Sequence, residues 1–306
     1  MNSLPHRPVL FSEVLSLFEG RSLTFFVDGT IGAGGHAKGI LEQHPELRHY
    51  IGFDQDEHAR AIARQQLAPW SDKVRIVPNN FSSLSQLLEE ANIDGVDGML
   101  FDLGVSSMQL DEAMRGFSFS KEGPLDMRMD CSATLTAEEI INDWSEEKLG
   151  IILRDYGEVR PWRRLARLIC HTRQSERLHT TKELAELVTQ IIPKKHKKTH
   201  PATCVFQALR IAVNRELDVL HAILPEAIQR LNSGGRLAVI SFHSLEDRLV
   251  KKAFRFAASD KWDTRGLGDG LFADKTPDVK LLTRRPIEAT EEEVAENPRS
   301  RSAKMR

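Results

Sequence analysis

Short apolar runs alternate with amphipathic stretches through the first hundred residues of the chain. The apolar runs, three of which end in an aspartate, occupy residues 24–28, 50–54, 74–77 and 98–102. The stretches between them repeat their apolar positions at helical spacing and occupy residues 35–42, 57–67 and 82–91. This alternation predicts βαβ units wound into a parallel sheet with helices on both faces, with ligands bound beyond the carboxyl ends of the strands.

The alternation stops after residue 102. A polar, glycine-containing stretch extends to residue 130 and is followed by helical patterns around 137–144, 146–156, 162–171 and 182–192. A basic loop at 193–201 leads into a long helical pattern at 206–224, and a buried strand resumes near 237–242. The pattern predicts a sheet domain formed by residues 1–107 and 214–306, with a helical subdomain inserted at 108–213.

The last seventy residues show fewer signals. Ser-Leu-Glu-Asp at 244–247 has the form of a capping box and predicts a helix that extends to about residue 256. The polar residues 257–278 are expected to form a mobile loop. The tail at 295–306 is expected to become ordered only in a complex.

The first apolar run ends in a glycine-rich loop, Asp-Gly-Thr-Ile-Gly-Ala-Gly-Gly-His at 28–36. Glycines at such a turn allow a ligand to approach the backbone closely. The spacing Gly32-x-Gly34-x-x-Ala37 also fits the dinucleotide fingerprint, with Asp54 where a ribose-binding acid is expected. The glycines alone are therefore compatible with both a dinucleotide and S-adenosylmethionine.

The acids around the loop favour S-adenosylmethionine. A dinucleotide would place an anionic pyrophosphate here, whereas S-adenosylmethionine brings a sulfonium and an amino group, which suit Asp28 and Asp102. Asp54 is expected to accept hydrogen bonds from ribose hydroxyls, with Asp56 the better candidate for capping the next helix. Phe81, just past the third strand, is equally compatible with stacking on adenine and with a core position.

Length and residue usage exclude several classes of protein. The chain has 306 residues, enough for a large core, and its apolar stretches are far shorter than the roughly 20 residues that span a bilayer. No secretory signal pattern is present in residues 1–15, and a cytoplasmic location is expected. Cys131, Cys170 and Cys204 form no Cys-x-x-Cys pair, and the histidines show no metal-binding spacing, so no disulfide framework and no metal are expected.

The charge is unevenly distributed, although the net charge is only -2. Residues 151–215 contain fourteen Lys or Arg and five Asp or Glu, which leaves the remainder of the chain strongly acidic. A basic run is often a solvated helical surface. The asymmetry favours a surface that faces a polyanion such as RNA.

Several ordered blocks of sequence resemble one family nearly from end to end. The blocks lie at 6–10, 28–36, 102–107, 116–119, 123–130, 200–203, 206–211, 234–236, 240–248 and 297–302. Among them are Asp-Leu-Gly-Val-Ser-Ser at 102–107, His-Pro-Ala-Thr at 200–203 and Ser-Phe-His-Ser-Leu-Glu-Asp at 241–247. In these blocks the chain resembles the bacterial 16S ribosomal RNA cytidine N4-methyltransferases, the small-subunit methyltransferase H type formerly called MraW.

The resemblance implies a Rossmann-like α/β methyltransferase sheet that is interrupted by a helical substrate-recognition subdomain. It implies that S-adenosylmethionine is the cofactor and that the target is the exocyclic N4 of a cytidine in the decoding region of 16S RNA, on the small ribosomal subunit. The cofactor-binding residues that it implies are Gly34, Gly35, His36, Asp54, Phe81, Asp102 and Gln109. The sequence departs from the family pattern at Met108, Val159 and Cys204.

Candidate residues for the reaction and for RNA follow from position and charge. Asp102 ends the fourth strand where substrate would meet cofactor, and it is expected either to contact the reacting groups or only to orient the cofactor. His243 is a candidate proton acceptor, although a histidine at a strand end is more often a structural group. The candidate phosphate contacts are Lys194, Lys195, Lys197, Lys198, Arg299 and Arg301. Arg128 is a further candidate at the pocket entrance, and the alternative is that it forms a salt bridge within its own loop.

Overall fold

A computed structural model describes residues 8–193, 200–261 and 274–306. The chain forms two compact units. Residues Met1–Gly104 with Leu217–Arg306 form the first, here called the sheet unit, and Val105–Glu216 form the second, here called the helical unit. In the described ranges, no helix is both long enough and apolar enough to cross a membrane.

In its described residues, the sheet unit has seven strands in the order β3-β2-β1-β4-β5-β7-β6. The strands are β1 Phe25–Asp28, β2 His49–Phe53, β3 Val74–Val77, β4 Val96–Asp102, β5 Leu231–Ser241, β6 Ile287–Glu288 and β7 Lys304–Met305. Strands β1 to β5 are parallel to one another, whereas β7 is antiparallel to both β5 and β6. The 3-2-1-4-5 order is that of Rossmann-like folds, and this confirms the predicted fold class.

The described residues also form thirteen α-helices. They are α1 Phe11–Phe18, α2 Gly35–Gln43, α3 Glu57–Gln66, α4 Leu84–Glu90, α5 Ser107–Asp111, α6 Ala137–Asp143, α7 Glu146–Asp155, α8 Trp162–Ser175, α9 Thr181–Ile191, α10 Ala202–Asn214, α11 Glu216–Gln229, α12 Ser244–Ala257 and α13 Glu291–Glu296.

The strands bury both of their faces, because successive side chains point to opposite sides of the sheet. Phe26 and Leu100 belong to one apolar cluster, which also contains residues of α1 and α2. Their neighbours Val27 and Phe101 belong to a second cluster, which contains residues of α4, α11 and α12. A parallel sheet covered on both faces is the arrangement that near-continuous apolar strands favour.

The helical unit has its own apolar core, formed by α6 to α10 and the preceding loop. Its helices begin where the sequence supplies capping residues: Thr136 with Glu139 caps α6, and Thr180 with Glu183 caps α9. The predicted limits of this subdomain were 108 and 213, and the compact unit observed extends from 105 to 216.

The single long helix predicted at 206–224 is wrong, because the chain forms α10 and α11 with a break between them. Arg215 has a left-handed backbone, with φ of 52°. The Asn214 side chain donates to the carbonyls of Met127 and Arg210 and accepts from the Met129 N–H. These contacts, two of which come from a loop distant in sequence, hold the chain where α10 ends.

The C-terminal tail is ordered in the free chain, contrary to the prediction. Strand β7 lies beside β5, and the backbone groups of Arg306 exchange two hydrogen bonds of 2.9 Å with Val239. The Arg306 guanidinium also pairs with Asp247 at 2.6 Å. The tail is therefore part of the sheet. Much of the loop predicted at 257–278 lies outside the described residues.

Candidate active site

Three aspartates lie at one edge of the sheet. Asp28 ends β1, Asp54 directly follows β2 and Asp102 ends β4. The three strands are adjacent and parallel, so their carboxyl ends meet at the same edge. This edge is where open α/β sheets bind ligands.

The glycine loop turns between β1 and α2 and is held by Asp54. Gly32 and Gly34 have positive φ values of 53° and 89°. The Gly32 N–H donates to Asp54 Oδ2 at 3.0 Å, while Asp54 Oδ1 accepts from the Asp56 N–H at 2.8 Å. Asp56 caps α3, as predicted. Burial raises the pKa of Asp54 to about 6, and the negative charge of Asp56 adds to this effect.

Gly34→Ala is expected to lower the free energy of unfolding by about 1–2 kcal/mol, the cost of a left-handed backbone for a residue with a side chain. The added Cβ would also lie 3.2 Å from the Leu67 side chain, so Leu67 or the loop must shift slightly, and cofactor affinity should fall because the backbone at position 34 is strained. Thermal unfolding and calorimetric titration measure the two effects. Gly20→Ala is the matched control, since Gly20 has φ of +69° with nothing within 4 Å of an added Cβ. If Gly20→Ala weakened cofactor binding equally, the loop would not be the cause.

Asp28 is buried beneath the loop, with 1% of its surface exposed. Its Oδ1 accepts from the Thr30 N–H at 3.0 Å, and its Oδ2 accepts from the Tyr50 hydroxyl at 2.8 Å. Burial raises the pKa of Asp28 to about 6, and the charge of Asp54 raises it further. Since both oxygens already bind protein donors, Asp28 would act on a cationic ligand through its charge.

Asp102 and His36 face each other across the site. The Asp102 N–H donates to Thr30 Oγ1 at 2.6 Å, which fixes the end of β4 against the loop. Asp102 Oδ2 lies 3.7 Å from His36 Nδ1. Asp102 Oδ1 is buried and has no hydrogen-bond partner among the described residues. Burial, with the charges of Asp28 and Glu246, raises the pKa of Asp102 well above its ordinary value.

The protonation of His36 follows from its other contact. His36 Nε2 lies 3.0 Å from the Val9 carbonyl oxygen, which can only accept, so Nε2 carries the proton. Burial lowers the pKa of His36 to about 4, and the ring is neutral. Its Nδ1 therefore presents a lone pair toward Asp102. Two acceptors that face each other create a place for a donor, and the ammonium group of S-adenosylmethionine is such a donor.

Phe81 packs beside the same loop. Its ring stacks on Phe101 with the ring centroids 5.2 Å apart. A Cβ added at Gly29 would lie 2.4 Å from the Phe101 ring and 3.2 Å from Phe81 Cβ. Glycine at position 29 thus allows the two rings to approach the loop. Phe81 is half-buried, so both a stacking role and a core role agree with its position.

Gln109 is the one predicted cofactor residue that belongs to the helical unit. It is buried and forms a capping box with Ser106 at the start of α5: its Oε1 accepts from the Ser106 N–H at 3.0 Å, and its own N–H donates to Ser106 Oγ at 3.2 Å. Its predicted role toward the cofactor remains a prediction. The other predicted cofactor residues, Gly34, Gly35, His36, Asp54, Phe81 and Asp102, come together in the sheet unit.

The residues predicted to contact RNA lie in different environments. Arg128 pairs with Asp126 through two hydrogen bonds of 2.9 and 2.7 Å and donates to the carbonyls of Cys131 and Ala133. This geometry favours the structural interpretation, a salt-bridged loop. Arg299 and Arg301 lie in a 3-10 turn at Pro298–Ser302, with Arg301 exposed. Lys194, Lys195, Lys197 and Lys198 lie outside the described residues.

Sequence reasoning missed Thr30 and Tyr50, which position Asp102 and Asp28. Thr30 lies inside the glycine loop, where its hydroxyl was a visible signal, whereas Tyr50 reads as an ordinary apolar strand residue. The predicted capping box at 244–247 is wrong by one residue. His243 caps α12 together with Glu246, whose Oε2 accepts from the Phe242 N–H at 2.9 Å. The His243 N–H donates to the same Oε2 at 3.3 Å, and the Glu246 N–H donates to His243 Nδ1 at 3.4 Å, so His243 has a structural role.

The Rossmann-like sheet, the glycine loop and the acids at the strand ends define the class of the protein as an S-adenosylmethionine-dependent methyltransferase. The model of the MraW methylase family matches residues 3–306. The chain belongs to the MraW methylase family.

Relatives similar over their whole length are named ribosomal RNA small subunit methyltransferase H. The relative from Protochlamydia amoebophila is 54% identical, over 99% of this chain and 96% of its own length. Those from Geotalea uraniireducens and Chlamydia trachomatis serovar L2 are 45% and 46% identical, each over the full chain and over 98% and 96% of their own lengths. A putative rRNA methylase structure from Clostridium thermocellum aligns with a TM-score of 0.40 at 11% identity, over 87% of this chain and 86% of that one. The family assignment depends on the sequence relatives.

Proposed function

We propose that this chain methylates the ribosomal RNA of the small subunit, at the exocyclic N4 of a cytidine in the decoding region of 16S RNA. The observation that carries the proposal is the full-length similarity, at 45–54% identity, to proteins named for small-subunit rRNA methylation. The cofactor-binding edge supports it, because its residues match the needs of a cationic methyl donor. The small ribosomal subunit would be the partner, and the cytoplasm the place of reaction.

The site would hold the cofactor through groups of known position. Asp54 would accept from the ribose hydroxyls, the loop at Gly34 and Gly35 would allow close backbone approach, and Asp102 with His36 would accept from a donor group. When bound, S-adenosylmethionine supplies an electrophilic methyl group attached to a sulfonium. The unpartnered Oδ1 of Asp102 is the strongest sign that these residues fit a ligand, since buried polar atoms are rarely left without a partner.

The reaction depends more on holding the cytosine amine in line with the methyl group than on removing a proton from it with a strong base. The cytosine N4 lone pair is delocalised into the ring, so attack on a methyl group needs an in-line amine whose developing positive charge is stabilised. Asp102, at the end of β4, is our candidate for that task. An ionised carboxylate beside the amine would stabilise the charge or accept the proton. The alternative is that Asp102 acts on the cofactor alone.

The helical unit supplies a surface suited to RNA. Arg160, Arg163 and Arg164 are exposed at the start of α8. The Arg163 guanidinium lies 4.2 Å from the centre of the Trp162 ring, and that of Arg154 lies 5.5 Å from it. Arginine and aromatic side chains together favour contact with phosphates and unstacked bases. The unit as a whole has eighteen Lys or Arg and sixteen Asp or Glu, so this surface and the basic loop concentrate its positive charge.

The decisive experiment is nucleoside mass spectrometry. Small ribosomal subunits from cells that lack this gene are incubated with the purified protein and S-adenosylmethionine, and the 16S RNA is digested. We expect N4-methylcytidine in about one copy per subunit, and none when S-adenosylmethionine is omitted. Subunit binding without release of S-adenosylhomocysteine would indicate an assembly factor instead, and a methyl group on another base or on protein would refute the cytidine assignment.

A further inference from the structure

The sheet unit contains a second concave site of about 580 Å³. It is lined by the first half of β5, by one face of α12 and by residues 278–284, with Ile287 of β6 and Met305 of β7 at its edge. A volume of this size is within the range of ligand-binding pockets. No residue predicted to bind the cofactor lines it.

This pocket is separate from the cofactor-binding edge. The lining residues Arg236 and Leu237 of β5 pair with Gly98 and Met99 of β4. Asp102 lies three residues beyond Met99, which is about 10 Å farther along the strand, and two strand positions separate β1 from β5. A group in this pocket is therefore not the group that receives the methyl.

Four cations line the rim and form no hydrogen bond or ion pair with the described residues, and the charge of one of them, Lys251, acts on the nearby Asp247. Lys251 and Arg255 lie on α12, and Lys280 and Arg284 lie on the segment opposite. Lys280, Arg284 and Arg255 are exposed, and Lys251 is half-buried. They face the pocket from two sides, so an anion between them would be contacted from both.

Three other lining arginines hold the pocket in shape. Arg21 donates to the Gly234 carbonyl at 2.8 Å, Arg236 donates to the Leu17 carbonyl, and Arg306 pairs with Asp247. The positive charges of Arg21 and Arg236 still contribute to the electrostatic potential inside the pocket, because a hydrogen bond to a carbonyl does not neutralise a guanidinium. Only the charge of Arg306 is offset by its partner.

Among the described residues that line the pocket, Asp278 is the single acid, and its charge is neutralised. Its carboxylate pairs with Lys275 Nζ at 2.6 Å. The apolar part of the lining includes Phe254 and the exposed residues Leu281 and Leu282, of which Leu282 is 58% exposed. The pocket therefore joins an excess of positive charge with an apolar wall that includes the ring of Phe254.

We propose that this pocket binds a single-stranded segment of the RNA substrate, with phosphates at Lys251, Arg255, Lys280 and Arg284 and a base or ribose against Phe254 and Leu282. The inference rests on the proposed function, since it takes the ligand to be the RNA that is methylated. Phosphates and unstacked bases are what a cationic groove with an aromatic wall recognises, and a duplex is too wide to enter a pocket of this volume. The segment held here would be a neighbour of the target nucleotide, and it would anchor the RNA during the reaction.

The test compares two double variants that remove equal charge. Lys251→Ala with Arg284→Ala removes two rim cations, whereas Lys252→Ala with Arg285→Ala removes the adjacent cations, which do not line the pocket. Binding of a fluorescent ten-nucleotide single-stranded RNA is measured at several salt concentrations. The pocket variant should bind several-fold more weakly, with a salt slope smaller by about 1.4, because each phosphate contact of a single strand contributes about 0.7. The control variant should bind like wild type.

Methyl transfer to small subunits gives the second measurement. The pocket variant should show a higher KM for the subunit with kcat unchanged, since the pocket lies away from the methyl donor. Equal effects of the two variants, or no effect of the pocket variant, would overturn the proposal, as would a wild-type protein that does not bind the RNA. Displacement of the RNA by micromolar uridine 5′-monophosphate would assign the pocket to a free nucleotide and also overturn it.

The two hypotheses fail in different ways. If wild type methylates subunits but the pocket variant behaves as the control does, the pocket proposal alone is wrong. If wild type does not methylate subunits and RNA binding still depends on Lys251 and Arg284, the proposed function is wrong and the pocket remains an RNA site.

Discussion

Asp102→Asn is expected to stabilise the ligand-free protein and to weaken S-adenosylmethionine binding by about 10- to 100-fold. The stabilisation follows because the wild-type carboxyl has one buried oxygen without a partner among the described residues and lies near Asp28 and Glu246. Asparagine removes this buried charge and can turn its amide N–H group toward His36 Nδ1, which lies 3.7 Å from the present carboxylate, and the change relieves about 1–3 kcal/mol. The loss of affinity follows because a hydrogen bond to a charged group contributes about 1.5–3 kcal/mol, or about one to two factors of ten.

The two effects have opposite signs, and this makes the prediction sharp. Thermal unfolding of the ligand-free protein and calorimetric titration with S-adenosylmethionine measure them separately. Asp97→Asn is the matched control at the other end of the same strand, where the carboxylate accepts from the N–H groups of Thr24 and Phe25 at 2.7 and 3.0 Å and from Asn232. Asp97→Asn should lower stability and leave cofactor affinity unchanged. If Asp102→Asn destabilised the ligand-free protein, Asp102 would be a structural residue.

Turnover of Asp102→Asn at saturating S-adenosylmethionine separates its two candidate roles. A kcat near that of wild type would mean that Asp102 only orients the cofactor. A kcat that falls by a further factor of ten or more would place its carboxylate beside the reacting groups. Neutral Asn retains the shape of the side chain, so a steric cause is excluded from the comparison.

The sequence predicted that Asp28, Asp54 and Asp102 meet at one edge of the sheet, because each aspartate marks the end of a short apolar strand. Strands β1, β2 and β4 are short apolar runs that end at or next to an aspartate, and parallel pairing brings those ends together. The glycines between β1 and α2 are required by positive backbone φ at Gly32 and Gly34. Both features are visible in the local sequence, and the strand pairing that brings the ends together follows from the α/β alternation.

The errors arose where distant residues decide the structure. The predicted helix at 206–224 has uninterrupted helical spacing, and only the contacts of Asn214 with Met127 and Met129 end α10 there. Strand β7 has two residues, too few for any periodicity, and its place is set by pairing with β5. A histidine is an uncommon helix cap, so Ser244 was the more conventional choice than His243.

The choice between the two cofactors also depends partly on local sequence and partly on contacts between distant residues. The spacing from Gly34 to Asp54 agrees with a dinucleotide fingerprint, and the sequence could favour S-adenosylmethionine only through the charges of Asp28 and Asp102. The structure shows that Asp54 uses one oxygen to hold the loop and that Asp28 is buried against Tyr50. The contact between Tyr50 and Asp28 depends on tertiary structure, because the two residues lie on adjacent strands.

Asp28→Asn is expected to stabilise the ligand-free protein at pH 7.5 but to have little effect at pH 4. The folded protein raises the pKa of Asp28 from 3.8 to about 6, so the folded state binds this proton more tightly than the unfolded state does. The stabilisation of the folded state by this proton is complete below the pKa of the unfolded state, 3.8, and is lost as the pH rises through about 6. The difference between variant and wild type should therefore grow by about 3 kcal/mol across this window, at about 1.36 kcal/mol for each pKa unit.

The difference between the two proteins is the quantity to measure, because other groups titrate in the same range. Asp54 acts in the same sense as Asp28, with its pKa raised to about 6. His36 acts in the opposite sense: its pKa is lowered to about 4, so the unfolded chain takes up that proton first and stability is lost as the pH falls below 6.5. The His36 contribution is common to both proteins and cancels. Removing the Asp28 charge also lowers the pKa of Asp102, which that charge raises, and this adds to the stabilisation of the variant in the same sense. Urea unfolding at pH 4, 5, 6 and 7.5 gives the profile.

Cofactor binding should show the converse dependence on pH. An ionised Asp28 attracts the sulfonium of S-adenosylmethionine, so wild-type affinity should fall as the pH drops through about 6. S-adenosylhomocysteine lacks that charge, and its affinity should depend less on pH. In Asp28→Asn the two ligands should show the same, flatter profile, because the charge that distinguishes them is gone. An unchanged difference between the ligands in this variant would assign the discrimination to Asp102 instead.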